Sequence, residues 1–191
     1  VKNLLEMESW KLFDKMYKEW NLFTRKSTQS HHVYTSELDK VLIYSMAYKE
    51  LVKESMMKEQ GRILYDIGFR IEEALMLIAK MRSMLCVKLD KSLTYDLLEA
   101  LLHSSESFNA YRTHYKRSLQ LENVIEFLLL NSRFSKSLVY MCAKLLSDFR
   151  VLPKAKKYLS SYEEPIFKAH ALLKLAKLET LVHLGDESLL Y

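Results

Sequence analysis

Glycine and proline are almost missing from this chain. Its 191 residues include three Gly and two Pro. Sheets joined by tight turns depend on both, so a many-stranded fold is disfavoured and helices with short polar connections are favoured. Cysteine is as scarce. Cys86 and Cys142 fall on different expected helices with no CxxC spacing, so they read as buried free thiols of a reducing compartment. No apolar run reaches the ~18 residues needed to cross a bilayer, and no signal-peptide pattern is present. There is also no glycine-rich phosphate loop, no HExxH or ExxH pair, and no Ser or Cys in a nucleophile signature. No cofactor and no metal are therefore expected.

Apolar residues make up 49% of the chain and charged residues 28%, as in an ordinary globular protein. A chain of this length can bury roughly 70% of its unfolded surface. The net charge of +5 permits contact with anions, and lysines on solvated helix faces account for it equally well. The chain opens on Val1, which fits a piece of a longer protein.

The strongest pattern lies between Met57 and Cys86. Leu64, Ile67, Ile71, Ala74, Ile78, Met81 and Leu85 recur at alternating spacings of 3 and 4, which places them on one helix face. A second row, Gly68, Leu75 and Ala79, predicts that this helix is covered on more than one side. Glu72 breaks the pattern. Its neighbours three and four residues away are Gly68, Phe69, Leu75 and Met76, so as a buried carboxylate it needs a partner from another helix. Arg112 and Arg133 are the candidates. Glu73 has Arg70 three residues back and is expected at the surface.

The remaining chain reads as further helices. Residues 3–25 carry Leu12, Phe13, Met16, Trp20 and Phe23 on one face, which points to core packing. Residues 24–35 read as a polar loop holding His31 and His32, without the third ligand a metal site needs. Ser36 is an N-cap candidate for a second helix. Helices are expected over 93–116, 121–130, 133–150 (capped by Asn131 or Ser132), 153–161 and 165–183, the last stopped by Gly185. The fold class is all-α, a single domain over 1–191 built as an antiparallel bundle of six to eight helices, with no sheet.

Two placements of charge stand out as candidate sites. One is Glu72, as general acid or base with Arg112 and Arg133 holding an anionic substrate. The other is the run Asn131–Ser137. Arg133, Lys136 and Ser137 there flank an expected helix N-terminus, whose free N–H groups suit a phosphate or carboxylate. Tyr111 and Arg112 belong to the basic aromatic run Tyr111–Arg117, which also serves as the cationic last turn of a helix.

Met56 to Leu146 resembles the bacterial alpha-E domain family. The matching blocks are Gly68-Phe69-Arg70-Ile71-Glu72-Glu73-Ala74, then Ala100–Ser104 with Asn109–Tyr115, then Glu126–Asn131 with Lys136-Ser137-Leu138. Glu73 stands where the family's Glu-Arg motif has Arg, Arg70 where an aromatic is usual, and Ser135-Lys136 where Pro-Arg precedes the serine. The resemblance implies a divergent or truncated member, with the upstream part of the family domain outside this chain. It also implies a cytoplasmic helical domain associated with a circularly permuted ATP-grasp ligase and a transglutaminase-like protein. On that basis the expected function is a non-catalytic interaction module accessory to an amide ligase, with Tyr111, Arg112, Arg133, Lys136 and Ser137 as binding candidates. The alternatives are a catalytic helical domain working through Glu72, and a weak nucleic-acid binder. Expected partners are the ligase or the transglutaminase-like protein, or a second copy of the chain, and not a membrane.

Overall fold

The computed structural model describes residues 7–25, 31–55, 60–85, 91–116, 119–153 and 160–187. All regular structure among them is helical. Among the described residues there are nine α-helices where six to eight were expected for the chain, because two of the expected long helices are each broken in two. The contacts divide the chain into two units, residues 1–65 and 66–191.

In the first unit, α1 (Met7–Arg25) packs against α2 (His31–Ser55). Phe13 meets Tyr48 at 5.7 Å between ring centroids, and the Ser45 hydroxyl approaches the Met16 sulfur at 3.2 Å. The aromatic payload of α1 is less buried than its periodicity predicts. Trp20 is 46% exposed, and Leu42 and Ile43 of α2 also face out. α2 begins at His31, so residues 31–35 are helical, and Ser36 lies inside the helix instead of capping it. The side chains of His31 and His32 lie outside the described residues.

The second unit holds the core. α3 (Gln60–Leu85) enters it with Ile67, Ala74, Leu77 and Met81 buried. Three of these belong to the predicted seam. The second row does not behave as expected: Gly68 and Ala79 are exposed and Leu75 is 56% exposed. A row displaced by one residue is turned about 100° around the helix, so packing on one side leaves it in solvent.

The expected helix 93–116 is two helices, α4 (Lys91–Ser104) and α5 (Phe108–Tyr115). The break is local chemistry. Ser104 and Ser105 turn their hydroxyls back onto the Leu101 carbonyl, and Ser107 donates to the Ser105 carbonyl. Serines that bond the nearby backbone in this way compete with helix continuation. Glu106 then takes φ 51, the Glu106 amide donates to His103 and the Ser107 amide to Leu102. That pair of bonds is a Schellman closure, which satisfies carbonyls at the helix end. Three serines in four residues were the available sequence signal.

α6 (Leu121–Ile125) runs into a π-helical turn, Glu126–Leu130, closed by the Asn131 amide on the Glu126 carbonyl at 3.0 Å. Val124, Ile125, Phe127 and Leu128 are buried there, as the all-round apolar pattern predicts. α7 (Leu138–Val151) starts five residues later than expected and is capped by Ser137, not by Asn131 or Ser132. The predicted helix 153–161 falls mostly outside the described residues. The expected 165–183 helix is α8 (Glu164–Leu175) and α9 (Leu178–Glu187), and Gly185 lies inside α9 without ending it. The turn before α8 is closed by Glu163, whose carboxylate accepts from the Ser160 amide and hydroxyl, and Pro165 sits in the first turn of the helix.

Candidate functional site

The turn between the π-helical segment and α7 is tightly held. Asn131 Oδ1 accepts the Arg133 amide at 2.9 Å, and the Phe134 and Ser137 amides bond the carbonyls of Asn131 and Phe134. Ser137 is fully buried. Its hydroxyl donates to the Asn131 carbonyl at 2.6 Å and accepts the Tyr140 amide at 3.3 Å. The cap therefore also fixes the turn. Ser137→Ala removes a helix cap and takes one of two donors from the Asn131 carbonyl, leaving it the Phe134 amide. It is expected to cost about 1–3 kcal/mol, measured by urea unfolding.

This turn brings Lys136 back over the α4–α5 junction, where its ammonium pairs with Glu106. The two residues edge a groove of about 250 Å³ lined by α3, the end of α4 and the start of α7. Phe69, Met76, Leu77 and Met141 make it apolar; Leu77 and Met141 are buried and form its floor. The α3 wall adds Glu72, Glu73 and Lys80. The Lys80 ammonium donates to the Ser104 carbonyl, at the negative end of α4.

Glu72 is thus a groove residue, but not the buried, Arg-paired one expected. It is exposed, and among the described residues neither Glu72 nor Glu73 makes an ion pair. A carboxylate on the open wall keeps its water, so no buried charge has to be matched. Glu73 is half-buried and lines the groove. Arg70 turns instead toward Asp148 of α7, with Nε 3.9 Å from Oδ2, and Lys144 holds the other Asp148 oxygen at 2.6 Å.

The other candidates are dispersed. Tyr111 is a core residue, 1% exposed, with its ring edge-on to Phe127 at 5.5 Å. Burial raises its pKa, and hydrogen bonds with the Gln120 backbone and the Asn123 side chain offset part of the rise. Arg112 is exposed over the Phe108 ring, 5.4 Å from its centroid, and lines a separate hollow of about 70 Å³. Arg133 is exposed and lines neither cavity. Among the described residues, Glu72, Arg112 and Arg133 line no common cavity of these two, whereas Glu72 and Lys136 share the groove. The sequence reading missed Glu106, Lys80 and Phe69 as groove residues, because a shared groove depends on how α3, α4 and α7 pack. No cluster of three or more metal-ligating side chains occurs among the described residues.

Glu106 is the strained residue of the groove, one of two non-glycine residues at positive φ among the described residues, the other being Lys116 at the end of α5. A non-glycine residue at positive φ costs roughly 1–2 kcal/mol, whereas a surface ion pair returns at most about 1 kcal/mol. Glu106→Gly keeps the turn and relieves the strain; Glu106→Ala loses the ion pair and keeps the strain. The Gly variant is expected to be more stable than the Ala variant by about 1 kcal/mol in denaturant unfolding.

The second unit is an all-α fold whose main candidate site is an apolar groove with charges of both signs at its lip. The chain belongs to the Alpha-E family, described as a predicted alpha-helical domain with a conserved ER motif, which matches residues 1–190. The match is wider than the Met56–Leu146 resemblance. This chain contains no Glu-Arg dipeptide, and Glu72-Glu73 stands at the block that resembles the motif. It is 32% identical over 100 residues to uncharacterized proteins of Mycobacterium bovis and Mycobacterium tuberculosis. The matched stretch covers 52% of this chain and 11% of the length of those relatives. No solved structure matches the chain. Among the described residues, no helix is long and apolar enough to cross a membrane.

Proposed function

We propose that this chain is a non-catalytic helical interaction module, acting in the cytoplasm as the accessory of an ATP-grasp-type amide ligase and holding the ligase or its peptide substrate. The groove supports this reading. It has an apolar floor for a side chain, polar groups at its lip to orient a backbone, and, among the described residues, no arginine lining it to hold an anionic substrate against Glu72. At about 250 Å³ it lies below the roughly 300–1,000 Å³ of pockets that enclose a drug-sized ligand, and it suits one or two side chains of a larger partner. The family resemblance supplies the ligase as the partner class.

The test is to mix the purified chain with a purified ATP-grasp-type amide ligase from the same organism. Co-elution in size-exclusion chromatography, with a changed rate of amide formation, is the expected result. Separate elution with an unchanged rate overturns the reading.

A further inference from the structure

The charges in the groove are not balanced, and the imbalance names a ligand. Three carboxylates, Glu72, Glu73 and Glu106, face two ammonium groups, Lys80 and Lys136. Both cations are already engaged. Lys136 is paired with Glu106, and Lys80 is held on the Ser104 carbonyl. Glu72 and Glu73 are left without an ion pair among the described residues, one exposed and one half-buried on the same wall. The opposite wall is the C-terminal end of α4, a helix of 14 residues, whose dipole places negative charge at Ser104 and Ser105. Lys80 already occupies that end, so it is the Glu72–Glu73 wall that favours a guest cation. The floor between them, Leu77 and Met141 with Met76 and Phe69 beside it, offers nothing to a bare ion and suits a hydrocarbon stem. Methionine adapts to an irregular guest, and an aromatic face attracts a cation carried past it.

We propose that this groove binds a lysine or arginine side chain of a peptide, its methylenes on Leu77, Met76 and Met141 and its cationic head between Glu72 and Glu73. A lysine stem lies along apolar surface while its head stays at a wet, charged lip, which is the division of surface the groove provides. The inference rests on the interaction-module reading and gives it a substrate class, a basic peptide segment. It also gives a purpose to Glu73. A Glu-Arg dipeptide in this place would carry no net charge, whereas Glu-Glu presents two acceptors.

The probe is the blocked tripeptide Ac-Ala-Lys-Ala-NH2, titrated into the ¹⁵N-labelled chain and followed by amide shifts. Its uncharged counterpart carries norleucine in place of lysine. Saturable shifts confined to residues 69–80, 104–106, 136 and 141 are expected with the lysine peptide, and none with the norleucine peptide. Glu72→Gln with Glu73→Gln is expected to weaken binding at least tenfold and to leave the unfolding midpoint in place, since neither carboxylate is buried. Glu72→Lys with Glu73→Lys is expected to reverse the preference toward Ac-Ala-Glu-Ala-NH2. Equal binding of the lysine and norleucine peptides overturns the proposal, as do a Gln variant that binds like the parent and shifts centred elsewhere. Co-elution with the ligase without lysine-peptide binding rejects this inference alone. Lysine-peptide binding without co-elution rejects the ligase-accessory reading alone.

Discussion

Phe127→Ala is expected to lower the unfolding free energy of the second unit by about 3–5 kcal/mol, the range for removing a fully buried aromatic ring. Phe127 is 2% exposed and sits in the π-helical turn. Its ring stacks on Phe134 at 4.3 Å and meets Tyr111, Tyr115 and His114 at 5.5, 6.0 and 6.1 Å. No other ring in the unit touches so many partners among the described residues. These contacts come from the α5 helix and from the turn that ends in Ser137, so the hole left by the ring opens between elements that cannot all close on it. The urea midpoint should fall with the slope unchanged. Phe167→Ala on α8 is the control: that ring is 49% exposed, and its loss is expected to stay within about 0.5 kcal/mol. A Phe127→Ala loss as small as the control would mean that the aromatic cluster does not organise the core.

Alkaline pH is expected to destabilise the chain. Burial raises the pKa of Tyr48 and Tyr111 from 10.0 and that of the Cys142 thiol from 9.0. Tyr115 is pushed up furthest, first by burial and then by its hydroxyl's bond to Glu126 Oε2 at 2.8 Å, which would become a contact between two anions on ionisation. For an acid whose pKa is higher in the fold, the folded chain keeps a proton that the unfolded chain has released. Stability from these groups is complete below pH 9 and falls as pH rises through 10 and beyond. Each such group tilts stability by at most about 1.4 kcal/mol per pH unit, and the half-exposed Tyr115 by less because water screens it. Urea midpoints are expected to be level between about pH 7 and 8.5 and to drop steeply by about pH 10.5. Tyr115→Phe, which cannot ionise, should show the shallower drop; identical slopes would remove Tyr115 from the account.

The legible parts of this protein are those set by short-range periodicity. The 3-4 seam of α3 located its buried stripe at every second member, Ile67, Ala74 and Met81, and the apolar run Phe127–Leu130 located the interior turn, because burial repeats with the helical period. The boundaries were less legible. The α4–α5 break was hidden in Ser104-Ser105-Glu106-Ser107, where Glu106 takes the left-handed position that a glycine usually marks. The start of α7 moved to Ser137 because the Asn131 side chain closes a turn at the Arg133 amide instead of capping a helix. Glu72 was legible as an odd carboxylate, but its surroundings were not. The expectation of an arginine partner assumed that the helix was covered on two sides, and Leu75 shows that it is not.

The sequence by itself determined that this chain is helical, where its main apolar stripes lie and that it resembles the Alpha-E family. Scarce Gly and Pro and a 3.6-residue period leave little alternative, since both act within a few residues of each other. The tertiary structure decided the site. Lys136 meets Glu106 across thirty residues of sequence and Arg70 turns to Asp148 rather than to Glu73, and no local rule relates such distant positions. Only the packing of α3, α4 and α7 set which charges neutralise each other and which two carboxylates were left facing an apolar floor.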